Sequence, residues 1–336
     1  MPFFFRDRLT TPSLGQAMKL FAFLTVCGSA LMLLYANASN AQTPDVHQSS
    51  TESVTVTGQK APSEAVIKGF VQSYAASAPA LGKMAKWARG ICPISTGLPS
   101  TYNLFLTKQV REVAAMAGAP LLNLADCKPN IDIVFTRQPQ ALLDRVRMEH
   151  PVLLGFHYQA EAEKIATVRY PIQAWYTTET EDEHGLRQID NPQDRHGSDF
   201  IIPGGPNSFC MAGCTLHLPY ARTMNVSGSR ISDTLSSQFF HVMVVIDLDK
   251  ISGLEIGSLA DDIAVMALAQ PQSFDACLTP PSITNLMTAG CADKPKAITP
   301  LDLAYLRGLY RTTTNASFAS QKAQVVDRMT KALADN

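Results

Sequence analysis

Phe239-Phe240-His241-Val242-Met243-Val244-Val245-Ile246-Asp247 is the stretch on which the fold turns. It is nearly continuous apolar sequence, rich in β-branched residues, and too short for an amphipathic helix. Such a run predicts a strand covered on both faces, at the centre of a sheet. His241 is its one ring nitrogen donor or acceptor, and a hydrogen-bonded core or edge histidine is the expected role. Downstream, Ser258 reads as a helix cap with Asp261 three residues on, as in a capping box. Leu259, Ile263, Met266 and Ala267 form the apolar face of that helix.

The pattern extends in both directions. Asn130–Thr136 alternates Ile131, Ile133 and Phe135, a strand signal, and Val152–Phe156 and Pro171–Thr178 read as two more strands. Helices are expected from Ser63, with Ile67, Phe70, Val71 and Tyr74 on one face, and over 101–117, stopped by Gly118. Another covers Pro139–Met148. Thr299-Pro300-Leu301-Asp302 has a cap, an early proline and an acid at the third position, which starts a helix continuing through Leu306 and Tyr310. The last helix runs from about Phe318 to Leu333. Between the strands, 179–208 is polar, with an acidic run at Glu179–Glu183 and a Gly204-Gly205-Pro206 turn, and reads as a surface loop or flap. Helices segregated beside a few strands make the class α+β.

The N-terminus carries an address. Leu20–Ala36 is apolar, Arg6, Arg8 and Lys19 precede it, and Ala36-Asn37-Ala38 and Ser39-Asn40-Ala41 offer small-residue cleavage sites. Residues 1–41 read as a signal peptide, 42–62 as a flexible polar leader and 63–336 as a single domain. Val26 before Cys27 is a poor lipoprotein box, so Cys27 belongs to the apolar run. The expected destination is periplasmic or secreted, with no membrane span after cleavage. Export into an oxidising compartment makes the other six cysteines a disulfide set. Sequence proximity suggests Cys92–Cys127, Cys210–Cys214 and Cys277–Cys291. A zinc site from Cys210, Cys214 and His217 is the competing reading, and it lacks a fourth ligand.

With a net charge of -1, nothing calls for nucleic acid. The phosphate-cradling motifs G-x-x-x-x-G-K-[ST] and G-x-G-x-x-G do not occur, nor does a G-x-S-x-G elbow. No two histidines stand four apart, so a zinc-peptidase helix has no ligands, and no cofactor is expected. His157 with Glu161 on one helix face, and Asp247, Asp249, Asp261 and Asp262 in loops or caps, read as solvated groups rather than metal ligands. Trp87 and Trp175 read as core.

The order from Asn130 onward resembles secreted zincin-like proteins of unknown function found in bacterial envelopes. The strand NIDIVFT, the later helix Leu259–Leu268, the segment Pro281–Leu286 and the closing Thr299-Pro300-Leu301-Asp302 helix with Leu306–Tyr310 carry the resemblance. It implies a zincin-like α+β arrangement. In active members the helix matching Leu259–Leu268 holds zinc ligands, whereas here it has neither histidine nor glutamate. With that helix empty of ligands, the resemblance implies a non-catalytic module that binds an unknown protein or envelope ligand. The alternative is a hydrolase with a site near His217, His241 and the Gly204–Cys214 loop.

Overall fold

The computed structural model describes residues 61–334, apart from 124, 126, 158, 191–198, 203–213 and 218–232. The expected signal peptide, the leader as far as residue 60, Cys210 and the Gly204-Gly205-Pro206 turn lie outside the described residues. In chain order the elements are α1 (Glu64–Tyr74), β1 (Pro93–Thr96), α2 (Ser100–Ala117), β2 (Ile131–Thr136) and α3 (Pro139–Glu149). Then come α4 (Ala162–Ile165), β3 (Ile172–Glu181), β4 (Arg187–Ile189), β5 (Asp199–Ile202), β6 (Cys214–His217) and β7 (Ser236–Asp247). The chain closes with α5 (Ile256–Leu268), α6 (Pro300–Tyr310) and α7 (Phe318–Ala334).

Five strands form one sheet in the order β1-β2-β7-β3-β4, and β5 pairs with β6 separately. The pairs β1–β2 and β2–β7 are parallel, whereas β3 runs antiparallel to β7 and to β4. The class is therefore α+β with a mixed sheet. β7 is hydrogen-bonded on both sides, Val242 lying opposite Ile131 on one and Tyr176 on the other. Its apolar run comes from burial on both faces. Val242, Val244 and Ile246 pack into the larger core with residues of α2, α5 and α6, while Met243 and Val245 join Leu143, Val146 and Trp175 in a second cluster.

Local signals bound α1, α2 and α6 where expected. Ser63 Oγ accepts from Val66 N at the start of α1, and Gly118 ends α2 in the left-handed region at φ 78°. Thr299 and Asp302 form a reciprocal capping box on α6. Cys92–Cys127 and Cys277–Cys291 are bonded, at S–S 2.05 and 2.09 Å. The first ties the start of β1 to the segment before β2, and the second closes the loop between α5 and α6. Each is worth on the order of 2–4 kcal/mol through the loop it closes. Among the described residues, no helix is long and apolar enough to cross a membrane.

Two expectations about strand and loop are corrected. Val152–Phe156 is not a strand, because Pro151–Leu154 is a turn of 3-10 helix that drives Val152, Leu153 and Leu154 into the second core cluster. Pro151 removes a donor that a strand ladder would need. The 179–208 stretch is not all loop, since β3 continues to Glu181 and returns as β4. Glu179 and Glu181 are tolerated there because Arg89 bonds the first at 2.5 Å and Arg187 the second at 2.7 Å.

Gly155 ends the 3-10 turn at φ 84°, and a Cβ there would lie 2.2 Å from the Tyr176 carbonyl oxygen. Both the positive φ and the contact with β3 demand glycine. Gly155→Ala is expected to destabilise the fold by about 2 kcal/mol or more. Urea denaturation checks it, and an unchanged midpoint would show that this turn is not held against β3.

Candidate functional site

The helix that the resemblance singles out, α5, is buried over all of Ser258–Leu268. It packs against α2, α6, β3, β7 and the 3-10 turn Ile283–Leu286. Polar side chains in such a place must find partners or lose their charge. Ser258 Oγ donates to the Lys296 carbonyl at 2.6 Å. Asp261 accepts from Gln109 Nε2 at 2.6 Å and from Ile298 N at 2.8 Å. The expected capping box is thus not formed: the helix starts earlier, with Glu255 as its N-cap, and both side chains bind neighbouring segments.

Asp262 is the exception, at 1% exposure rather than facing solvent as expected. No hydrogen bond reaches its Oδ1. Burial, reinforced by the nearby Asp302, pushes its carboxyl pKa well above the ordinary value. Asp302 is buried too, but it is fully engaged. It accepts from Ser282 Oγ at 2.5 Å, Ile283 N at 2.9 Å, Thr299 N at 3.0 Å and Thr299 Oγ1 at 2.8 Å. Burial raises its pKa and these bonds oppose the rise. The surrounding wall contains Tyr74, Tyr176 and Tyr305, all pushed upward by burial and so neutral. Tyr176 donates to the Met266 carbonyl at 2.8 Å, which fixes the strand β3 to the helix.

His241 meets Asp132 across β7 and β2, with Nε2 to Oδ2 at 2.7 Å and both side chains buried. The register of two parallel neighbours places the pair on the face of the second core cluster. A carboxylate on Nε2 holds the ring in one orientation. His217 begins no such account, because its side chain lies outside the described residues, as does most of the Gly204–Cys214 loop. His157 precedes the 3-10 turn Gln159–Glu161 and bonds the Gly155 carbonyl through Nδ1, so it shares no helix face with Glu161.

The carboxylates considered for calcium have other work. Asp247 accepts from Asp249 N and pairs with Lys250 at 3.3 Å, and Asp249 pairs with Arg137 at 2.5 Å. Among the described residues, no three His, Cys, Asp or Glu side chains are grouped closely enough to hold a metal ion. Trp87 and Trp175 donate to the Ala267 and Ile165 carbonyls from within the core. Among the described residues, one concavity of ligand size is on the outside, a groove of about 500 Å³ between α1 and α7. Val71, Ala323 and Val326 line it, with Lys68, Lys322 and Glu64 at its rim.

The missed feature is Asp262. Its signal was present: Leu259, Ala260, Ile263, Ala264, Val265, Met266, Ala267 and Leu268 leave the helix no polar face, and an acid in such a helix has no route to water. The Asp132–His241 pair had no such signal, because it depends on strand register.

Scanned against protein-family models, curated proteins and solved structures, the chain matches none, and nothing there identifies a zincin-like family.

Proposed function

We propose that this chain is an exported, non-catalytic binding or envelope-associated module on a degenerate zincin-like scaffold, acting in the periplasm or outside the cell. The observation that carries the reading is the state of α5. Ser258 and Asp261 are engaged in hydrogen bonds that join the helix to α2 and to the 296–298 segment, and its remaining faces are core. A helix used in this way supports a fold and presents nothing to a substrate. The element order supports the scaffold reading: β7 leads to α5, then the Ile283–Leu286 turn, then the capped α6 ending at Tyr310. Paired cysteines and the apolar run Leu20–Ala36 support export. The groove between α1 and α7 is the surface offered for binding.

One observation favours a second reading, a secreted hydrolase near His217, His241 and the Gly204–Cys214 loop. The Asp132–His241 pair has the orienting geometry of a base and its carboxylate. Purified mature protein separates the two. Peptide, ester, phosphoester and glycoside substrates should be turned over at the same background rate by the wild type and by His241→Ala. A rate lost by about 10²-fold or more in His241→Ala, with the fold intact by circular dichroism, would favour the hydrolase. N-terminal sequencing of exported protein should begin just after Ala41, and a chain retaining Leu20–Ala36 in the membrane fraction would contradict the export reading.

A further inference from the structure

The outer side of α2 is apolar where a surface helix is ordinarily polar. Its inner side, Leu106, Val110, Val113, Ala114 and Ala117, is buried against the core. Among the described residues, eight large hydrophobic side chains are exposed, and six of them, Tyr102, Leu104, Phe105, Met116, Leu121 and Leu122, lie on α2 or directly after it. Leu104 is 71% exposed and so adds almost nothing to the core of its own chain. Leu122 is held beside the helix, where its carbonyl accepts from Arg111 Nη1 at 2.9 Å. A concentration of this kind marks an interaction surface, unlike apolar residues scattered singly.

The outer side is also self-complementary. Thr101, Phe105, Lys108, Glu112 and Ala115 are spaced four, three, four and three apart, the spacing of a seam between two helices. After Thr101 the seam reads large, positive, negative, small, and Leu104 and Met116 flank it. Two-fold symmetry requires a surface to match itself with its order reversed. In an antiparallel pair turned about an axis level with Val110, Phe105 shares a layer with the second copy's Ala115, and Lys108 with its Glu112. Met116 then lies against the second copy's Phe105, a favourable contact of sulfur with a ring. Large meets small and positive meets negative in every layer, which favours a second copy over an unrelated protein. Lys108 and Glu112, 3.4 Å apart in one helix, balance each other. The seam therefore has no net charge with which to hold an anionic lipid surface.

We propose that the outer side of α2 is a homodimer interface, packed antiparallel against α2 of a second copy of this chain. The surface is separate from the groove between α1 and α7, and the proposal does not rest on what that groove binds.

Sedimentation equilibrium of the mature protein from about 1 to 200 µM should show monomer and dimer with a Kd on the order of 10 µM, as befits a small interface. Lys108→Glu or Glu112→Lys brings two like charges from each copy together and should weaken the dimer about tenfold or more. Both side chains are exposed, so both variants should fold, which circular dichroism checks. The double variant Lys108→Glu/Glu112→Lys restores the opposed layers and should return to within about threefold of the wild type. Mixed in equal amounts, the two single variants should form a heterodimer tighter than either homodimer, because one then offers only acids at the centre of the seam and the other only bases. A monomer throughout the range would overturn the proposal and leave α2 to a different protein. A dimer that neither charge variant weakens and mixing does not strengthen would overturn it too, by placing the contact elsewhere on the molecule.

Discussion

Trp87→Ala is expected to cost about 3–5 kcal/mol, the largest loss of any single substitution argued for this fold. The indole is 2% exposed and its centroid lies 5.6 Å from that of Phe239, on the strand β7 that organises the sheet. Truncation leaves a cavity between that strand and α5. It also removes a bond that α5 needs. Trp87 Nε1 donates at 2.9 Å to the carbonyl of Ala267, one of the last residues of the helix, whose carbonyls have no partner within it. Trp87→Phe separates the two contributions. It keeps most of the volume and orphans the carbonyl, so it should cost about 1–3 kcal/mol. Urea denaturation of both variants checks the ranking. A loss below about 1 kcal/mol for Trp87→Ala would mean that the segment before β1 is not part of the core.

Legibility of the sequence tracked how local each signal was. β7 could be read because burial on both faces leaves a continuous apolar run, and burial does not depend on which strand lies beside it. The Thr299–Asp302 box could be read because all its partners lie within four residues. Ser258 and Asp261 have the same spacing and fail as a box. Lys296 and Ile298, 38 and 37 residues downstream, and Gln109 on α2 take their side chains instead. The acidic run Glu179–Glu183 misled in the same way, since Arg89 and Arg187 allow part of it to be strand. The Asp132–His241 pair required the register of β2 against β7, which no periodicity encodes. The groove between α1 and α7 likewise joins the first and last helices described, and only folding brings them together.

Asp262→Asn is expected to change the pH dependence of stability more than any other substitution in α5. The wild-type carboxyl is fully buried with an unbonded oxygen, and burial first, then Asp302, raises its pKa well above 3.8. A raised folded-state pKa means that the native state holds a proton which the unfolded chain gives up. The associated stability is complete below the unfolded value and is lost as pH rises towards the folded one. Within that window this group weakens the wild type by up to about 1.4 kcal/mol per pH unit. Asparagine has no proton to lose, so the variant should be free of this loss and should overtake the wild type as pH rises. Asp190 and Glu179, also displaced upward by burial, are common to both proteins and cancel in the comparison, whereas Asp302, whose charge raises the Asp262 pKa, is relieved of that neighbour in the variant. Urea midpoints for the two proteins in buffers from pH 4 to pH 8 measure the difference. Parallel curves would show that Asp262 is ionised in the native state throughout. A gap that widens with pH would tie the loss to this carboxylate, because its proton neutralises the one charge that α5 cannot bury alone.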